Sequence, residues 1–206
     1  TPTPKSSHII QTLTEEERAW IKAHPVIRVV QDSGWPPVEF SDDKGGPAGI
    51  SNDYLKLIEE RLGIKFERAP NVTWQDSYKR LKQWEIDMTT CVAETQDRRE
   101  FWEFTKPYIK LPIVILTQTD VTYVANISEL AGKKVAVVDG YVSSELINRD
   151  LPDIPLVKVQ TVKQGMELVQ NGAVFAFVDN MQVIGYYLAK LKLDDLKIAG
   201  WTPYVN

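Results

Sequence analysis

Short apolar runs alternate along the chain with stretches in which apolar residues recur every three or four positions. Ile27 to Val30 reads as a strand, and from Asp53 to Leu62 the residues Tyr54, Leu55, Ile58 and Leu62 share one helical face that Gly63 ends. Ile64 to Arg68 alternates as a strand does, Trp74 to Trp84 has helical spacing behind the capping residue Thr73, and Met88 to Val92 reads as a strand. A second set follows. Ile113 to Thr117, Lys134 to Val138, Leu156 to Gln160 and Val174 to Val178 read as strands. Helices are predicted near Ser143 to Arg149, over Val162 to Asn171 and over Met181 to Leu191. Ahead of both sets, Thr14-Glu15-Glu16-Glu17 has a capping-box pattern leading into Trp20 and Ile21, and His24-Pro25 closes that helix.

A strand-helix alternation of this kind is the signature of a largely parallel sheet covered by helices, and two such sets predict two α/β lobes. No repeat of solenoid period is evident. The expected organisation is a linker or remnant over 1–12, a lead-in helix over 13–25, lobe one over 26–116, lobe two over 117–200, and a return toward lobe one beginning at 201–206.

Composition narrows the function classes. The 206 residues carry 24 Lys and Arg against 28 Asp and Glu, hence a formal charge of −4. An acidic chain is poorly suited to a sequence-independent grip on nucleic-acid phosphates, so no nucleic-acid partner is expected. The apolar runs at Leu111 to Leu116 and Val174 to Val178 are far shorter than the roughly 20 residues of a membrane-spanning helix. Cys91 is the single cysteine, which rules out an intrachain disulfide and a cysteine-based zinc cluster. The two histidines, His8 and His24, lie in the linker and at a helix end, so no His-dependent triad or HExxH zinc pair forms. Phosphate-cradling glycine loops and the GxSxG elbow are missing too. Binding, without a metal or cofactor, is therefore expected rather than catalysis.

Ligands of open parallel sheets bind beyond the carboxyl ends of the strands. There, Asp32 and Trp35-Pro36-Pro37 follow the first strand: a carboxylate and an aromatic face on a stiff turn, or simply a polar turn with a half-buried ring. Thr95-Gln96-Asp97-Arg98 reads as a helix start whose Arg98 is suited to a carboxylate, unless it pairs with Asp97 or Glu100. Asp139-Gly140-Tyr141-Val142-Ser143-Ser144-Glu145 repeats that arrangement, either as backbone donors for an anion or as an ordinary serine cap. Asp179, at the end of a strand, suits an ammonium group or the cap of the next helix.

With these segments in view, the chain resembles the bacterial family 3 solute-binding proteins. The matching residues are Ile27 to Asp32, Trp35-Pro36-Pro37-Val38-Glu39-Phe40, Gly49 to Leu55, Thr95-Gln96-Asp97-Arg98 through Phe104-Thr105 to Pro107-Tyr108, Leu130 to Val137 with Gly140, and Asn171-Gly172 to Asp179. Leu13 to Ile21 with His24-Pro25-Val26 is similar to the lead-in of Venus-flytrap sensor domains of bacterial hybrid histidine kinases. The resemblance implies a two-lobed α/β fold of the periplasmic-binding-protein type. It implies an extracytoplasmic sensor domain that takes a small carboxylate or amino-acid-like solute between its lobes and signals by closure, with a soluble transport receptor as the alternative. It further implies membrane attachment through a parent chain, a possible homodimer, and ATP only in a parent kinase domain. By the same resemblance Arg98 holds a carboxylate from one lobe, Asp179 an ammonium from the other, Trp35 stacks on the ligand, Asp32 contacts its polar end, and Thr90, Cys91, Tyr141 and Ser143 face it. Ala93 and Val142 depart from the family pattern, which places hydroxyl residues there.

Overall fold

A computed structural model describes residues 13–69 and 72–206; the expected linker over 1–12 lies outside the described residues. In chain order the elements begin with α1 (Glu15–Ala23), β1 (Val26–Val30), β2 (Gly34–Trp35), β3 (Glu39–Ser41), β4 (Pro47–Ala48), α2 (Ile50–Leu62), β5 (Lys65–Arg68), α3 (Trp74–Lys82) and β6 (Met88–Thr89). They continue with α4 (Gln96–Arg99), β7 (Pro112–Gln118), a 3-10 turn (Ile127–Leu130), β8 (Val135–Val138), α5 (Val142–Asp150), β9 (Leu156–Val159), α6 (Val162–Gln170), β10 (Ala176–Asn180), α7 (Met181–Leu191) and β11 (Leu196–Val205). Contacts divide the chain into two units, the first made of the chain through Ser33 with Val38–Cys91, the second of Gly34–Pro37 with Val92–Asn206.

The first unit starts with the predicted capping box: Thr14 Oγ1 accepts from Glu17 N at 3.2 Å, and Thr14 N donates to Glu17 Oε2 at 2.7 Å. Strand β1 then lies between two parallel neighbours, with Val26 opposite Lys65 on β5 and Val29 opposite Met88 on β6. Helix α2 buries Leu55 against Val29, Ile64 and Phe66, and ends at Gly63, whose φ of 71° is left-handed backbone that glycine adopts without strain. Asp87 fastens the approach to β6 onto β1, taking Arg28 N at 2.8 Å and Arg28 Nη2 at 2.6 Å.

The second unit is a five-stranded sheet in the order β11-β7-β10-β8-β9. β8 runs parallel to both β9 and β10, whereas β7 is antiparallel to β10 and β11. Because side chains alternate along a strand, Ile113 and Ile115 of β7 join Ile127, Leu130, Val137, Ile147 and Val178 in one core. Val114 and Leu116 point the other way, toward the face that carries α6 and α7, whose Met166, Val169, Val183 and Ile184 are fully buried. Helix α6 comes very close at Gly165, where a Cβ would stand 2.3 Å from the Phe177 ring.

Several expectations are corrected by this arrangement. The lobe boundary expected at 116/117 falls inside β7, a seven-residue strand buried between β10 and β11, and Val92–Leu116 therefore sits in the second unit. Residues 201–206 do not begin a return to the first unit, because β11 runs to Val205 along β7 and Leu111 N donates to Asn206 O at 2.8 Å. The second sheet is mixed rather than mainly parallel. The strand read over Met88 to Val92 is paired only at Met88–Thr89, and α2 begins at Ile50 rather than Asp53, its amide Ser51 N bonding Val38 O.

Candidate functional site

In the second unit, β8 and β10 are parallel neighbours, so their carboxyl ends open on one edge of the sheet. That edge holds Asp139-Gly140-Tyr141 after β8 and Asp179-Asn180 at the end of β10. Gly140, with φ 75°, turns the chain there in a conformation other residues rarely adopt. Tyr141 precedes α5 as a cap residue without a side-chain cap bond, and Ser143 in its first turn is buried with no hydrogen-bond partner for Oγ among the described residues.

Trp35 reaches the same edge. Its ring meets Tyr141 edge-on with centroids 6.2 Å apart, and Gly34 O accepts from Tyr187 Oη of α7 at 3.1 Å. The aromatic pair is thus anchored from two helices of one unit, and Trp35 is buried with Nε1 unpartnered among the described residues. Asp179 is 1% exposed; its Oδ1 accepts from Asn180 N at 2.7 Å. Asn180, not Asp179, is the cap residue of α7, and its Nδ2 donates to Leu111 O at 2.8 Å.

Arg98 arrives from α4, a single turn capped by Thr95 Oγ1, which accepts from Arg98 N at 3.3 Å. Its guanidinium is 2% exposed and bonds three acceptors of its own unit: Nη1 to Ala93 O at 3.0 Å, Nη2 to Gly140 O at 3.1 Å, and Nη2 to Glu145 Oε1 at 2.8 Å. Neither Asp97 nor Glu100, the partners read from sequence, takes that bond. The expectation that Arg98 and Asp179 come from opposite lobes is corrected as well, since both belong to the second unit. The sequence places Glu145 at the end of the Asp139 to Glu145 segment but assigns it no role, because nothing local distinguishes it from any first-turn acid.

Trp35, Arg98, Tyr141, Ser143 and Asp179 are therefore in one unit, and Asp32, Thr90 and Cys91 are in the other. There, Glu39 is the organising group. It is 1% exposed, its Oε1 accepts from Asp32 N at 3.0 Å, and its Oε2 accepts from the Thr90 hydroxyl. Burial pushes Glu39 up to about 8, against the opposing hydrogen bonds of Thr90, Asp32 N and Ser51, while the neighbouring Asp32 carboxylate raises it further. Gln31 Nε2 reaches Thr90 Oγ1 at 3.4 Å, and Cys91 is buried. The sequence named Glu39 only as part of the Trp-Pro-Pro segment; a carboxylate two residues beyond paired prolines, in an apolar setting, was the available signal.

A cavity of about 360 Å³ lined by Gln118, Asp120, Lys134, Gly172 and Phe175 lies at the opposite edge of the second sheet, away from these residues. Among the described residues no cluster of three or more His, Cys, Asp or Glu is disposed to hold a metal ion. No helix there is long and apolar enough to cross a membrane.

The profile of the bacterial extracellular solute-binding proteins, family 3, matches residues 27–189. The virulence sensor protein BvgS of Bordetella pertussis is 28% identical over 185 residues, covering 89% of this chain and 15% of BvgS. The chain thus spans a small fraction of that relative's length. The probable amino-acid-binding protein YxeM of Bacillus subtilis is 32% identical over 161 residues, 77% of this chain and 60% of YxeM. Among solved structures, the periplasmic VFT2 domain of Bordetella pertussis BvgS superposes with a TM-score of 0.81 at 26% identity, covering 92% of this chain and 81% of that one.

Proposed function

This chain belongs to the bacterial extracellular solute-binding proteins, family 3, and from that premise we propose that it is the extracytoplasmic ligand-binding part of a sensor histidine kinase. Its ligand is a small amino-acid-like solute, and lobe closure on that solute is the signal passed toward the membrane by the parent chain. The domain binds rather than catalyses, and phosphoryl transfer belongs to the parent. What carries the reading is Asp179, a buried carboxylate at the carboxyl end of β10, on the sheet edge where Tyr141 follows β8, in a chain whose relatives include a virulence sensor protein. A buried carboxylate at such an edge suits an ammonium group, and a charge-assisted hydrogen bond of that kind contributes roughly 1.5–3 kcal/mol.

Calorimetric titration of the chain with a panel of amino acids and amines tests this. A binder is expected to lose about tenfold or more in affinity on Asp179→Asn, the size of about 1.4 kcal/mol. Binding unchanged by that substitution removes Asp179 from the site. A second reading, a soluble transport receptor, is favoured by the likeness to YxeM, an amino-acid-binding protein by name. A membrane span and kinase motifs in the gene beyond Asn206 decide for the sensor, and their absence decides for the receptor.

A further inference from the structure

Arg98 is a buried basic side chain at this edge, and its guanidinium already has a carboxylate. Both Nη2 hydrogens are committed, one to Gly140 O at 3.1 Å and one to Glu145 Oε1 at 2.8 Å, and Nη1 donates to Ala93 O at 3.0 Å. A planar carboxylate engages arginine through two parallel N–H donors. Every such fork on this side chain runs through Nη2, so none is open while Glu145 stays in place. The arrangement is built in: Arg98 is 2% exposed, whereas the Glu145 side chain keeps 32% of its surface. The more exposed partner is the one able to swing away, because leaving the buried cation alone is the expensive event.

We propose that Glu145 is the specificity-determining residue of this edge: its carboxylate fills the place at Arg98 that a ligand carboxylate would take, so the site closes itself to anions and accepts solutes through their cationic or neutral polar groups. This rests on the reading of the edge as a ligand site and refines the class of ligand. The Arg98–Glu145 pair carries no net charge, and Asp139 is paired with Lys158 Nζ at 2.9 Å, so neither pair offers an anion a bare cation. An amino acid bound here turns its ammonium to Asp179 and places its carboxylate elsewhere.

The test is chemical rescue. Glu145→Ala leaves Arg98 with an open fork of a size that acetate fills, and the probe is sodium acetate against sodium chloride at equal ionic strength, read by thermal unfolding of the chain. The variant is expected to melt lower than wild type and to recover with acetate in a saturable way, while wild type ignores acetate. Arg98→Ala combined with Glu145→Ala is expected to ignore it too. Should Glu145→Ala not fold, Glu145→Ser is read identically, and folding of either variant only in acetate counts in favour. The proposal is overturned when the variant ignores acetate, when wild type gains as much as the variant, or when the double variant responds equally. None of these outcomes touches Asp179, so failure here leaves the amine-binding titration to stand or fall separately.

Discussion

The ring of Phe177 on β10 lies so close to α6 that a Cβ on Gly165 would come within 2.3 Å of it. Helix α6 can therefore rest on the sheet only with glycine at that position, although glycine in a helix interior is less favourable than alanine by about 1 kcal/mol. Contact with a rigid ring outweighs propensity here. Gly165→Ala is expected to destabilise the second unit by about 1–3 kcal/mol, the range for overpacking a filled core. A lower urea midpoint is the expected reading, and an unchanged or raised one would mean the helix lifts at no loss.

Glu39 makes the stability of the first unit depend on pH. Its folded value of about 8 lies above the ordinary 4.5, so the folded state holds a proton that the unfolded chain releases. The contribution is complete below about pH 4.5 and is lost as pH rises through 8, at up to about 1.4 kcal/mol per pH unit inside that window. Glu39→Gln stays neutral throughout. Wild type minus Glu39→Gln stability, followed by urea unfolding from pH 5 to pH 9, is expected to fall and then level off. A flat difference would show Glu39 ionised at every pH.

The cap of α6 makes a simpler case. Thr161 Oγ1 accepts from Gln164 N at 3.2 Å, while Gln164 Oε1 accepts from Gln160 N at 3.0 Å, so two side chains satisfy two backbone amides at the helix start. Thr161→Ala is expected to destabilise by about 0.5–2 kcal/mol and Thr161→Ser by much less. Equal loss in both variants would assign the effect to the methyl group instead.

What could be read in advance depended on how local its cause was. Met181 to Leu191 was legible end to end because Val183, Ile184, Tyr187 and Leu191 repeat at helical spacing, and that helix is observed over the same residues. β2 and β4 have two residues each, too few to show any period. β7 was legible as a strand, but its place in the second sheet depends on β10 and β11, more than fifty residues away in the chain. The same holds for the site. The positions of Asp179 at the end of one strand and Tyr141 after another could be read locally, whereas the carboxylate partner of Arg98 is 47 residues distant and the hydroxyl partner of Glu39 is 51. Pairing across such distances is decided by sheet order, which the apolar pattern does not encode.

Asn180 supplies the last prediction. It is 2% exposed, and its Nδ2 donates to Leu111 O at 2.8 Å, tying the chain entering β7 to the end of β10. Asn180→Ala removes this donor while Leu111 O keeps its bond from Asn206 N at 2.9 Å, an expected loss of about 0.5–1.5 kcal/mol. Asn180→Asp keeps the shape but brings an acceptor toward an acceptor, next to the carboxylate of Asp179. It is expected to be worse than alanine at pH 7 and to improve as pH falls, because a protonated carboxyl regains an O–H donor for Leu111 O. Unfolding both variants at pH 4 and pH 7 decides the matter: if Asn180→Asp is as stable as wild type at pH 7, the side chain is not the tie between the two segments.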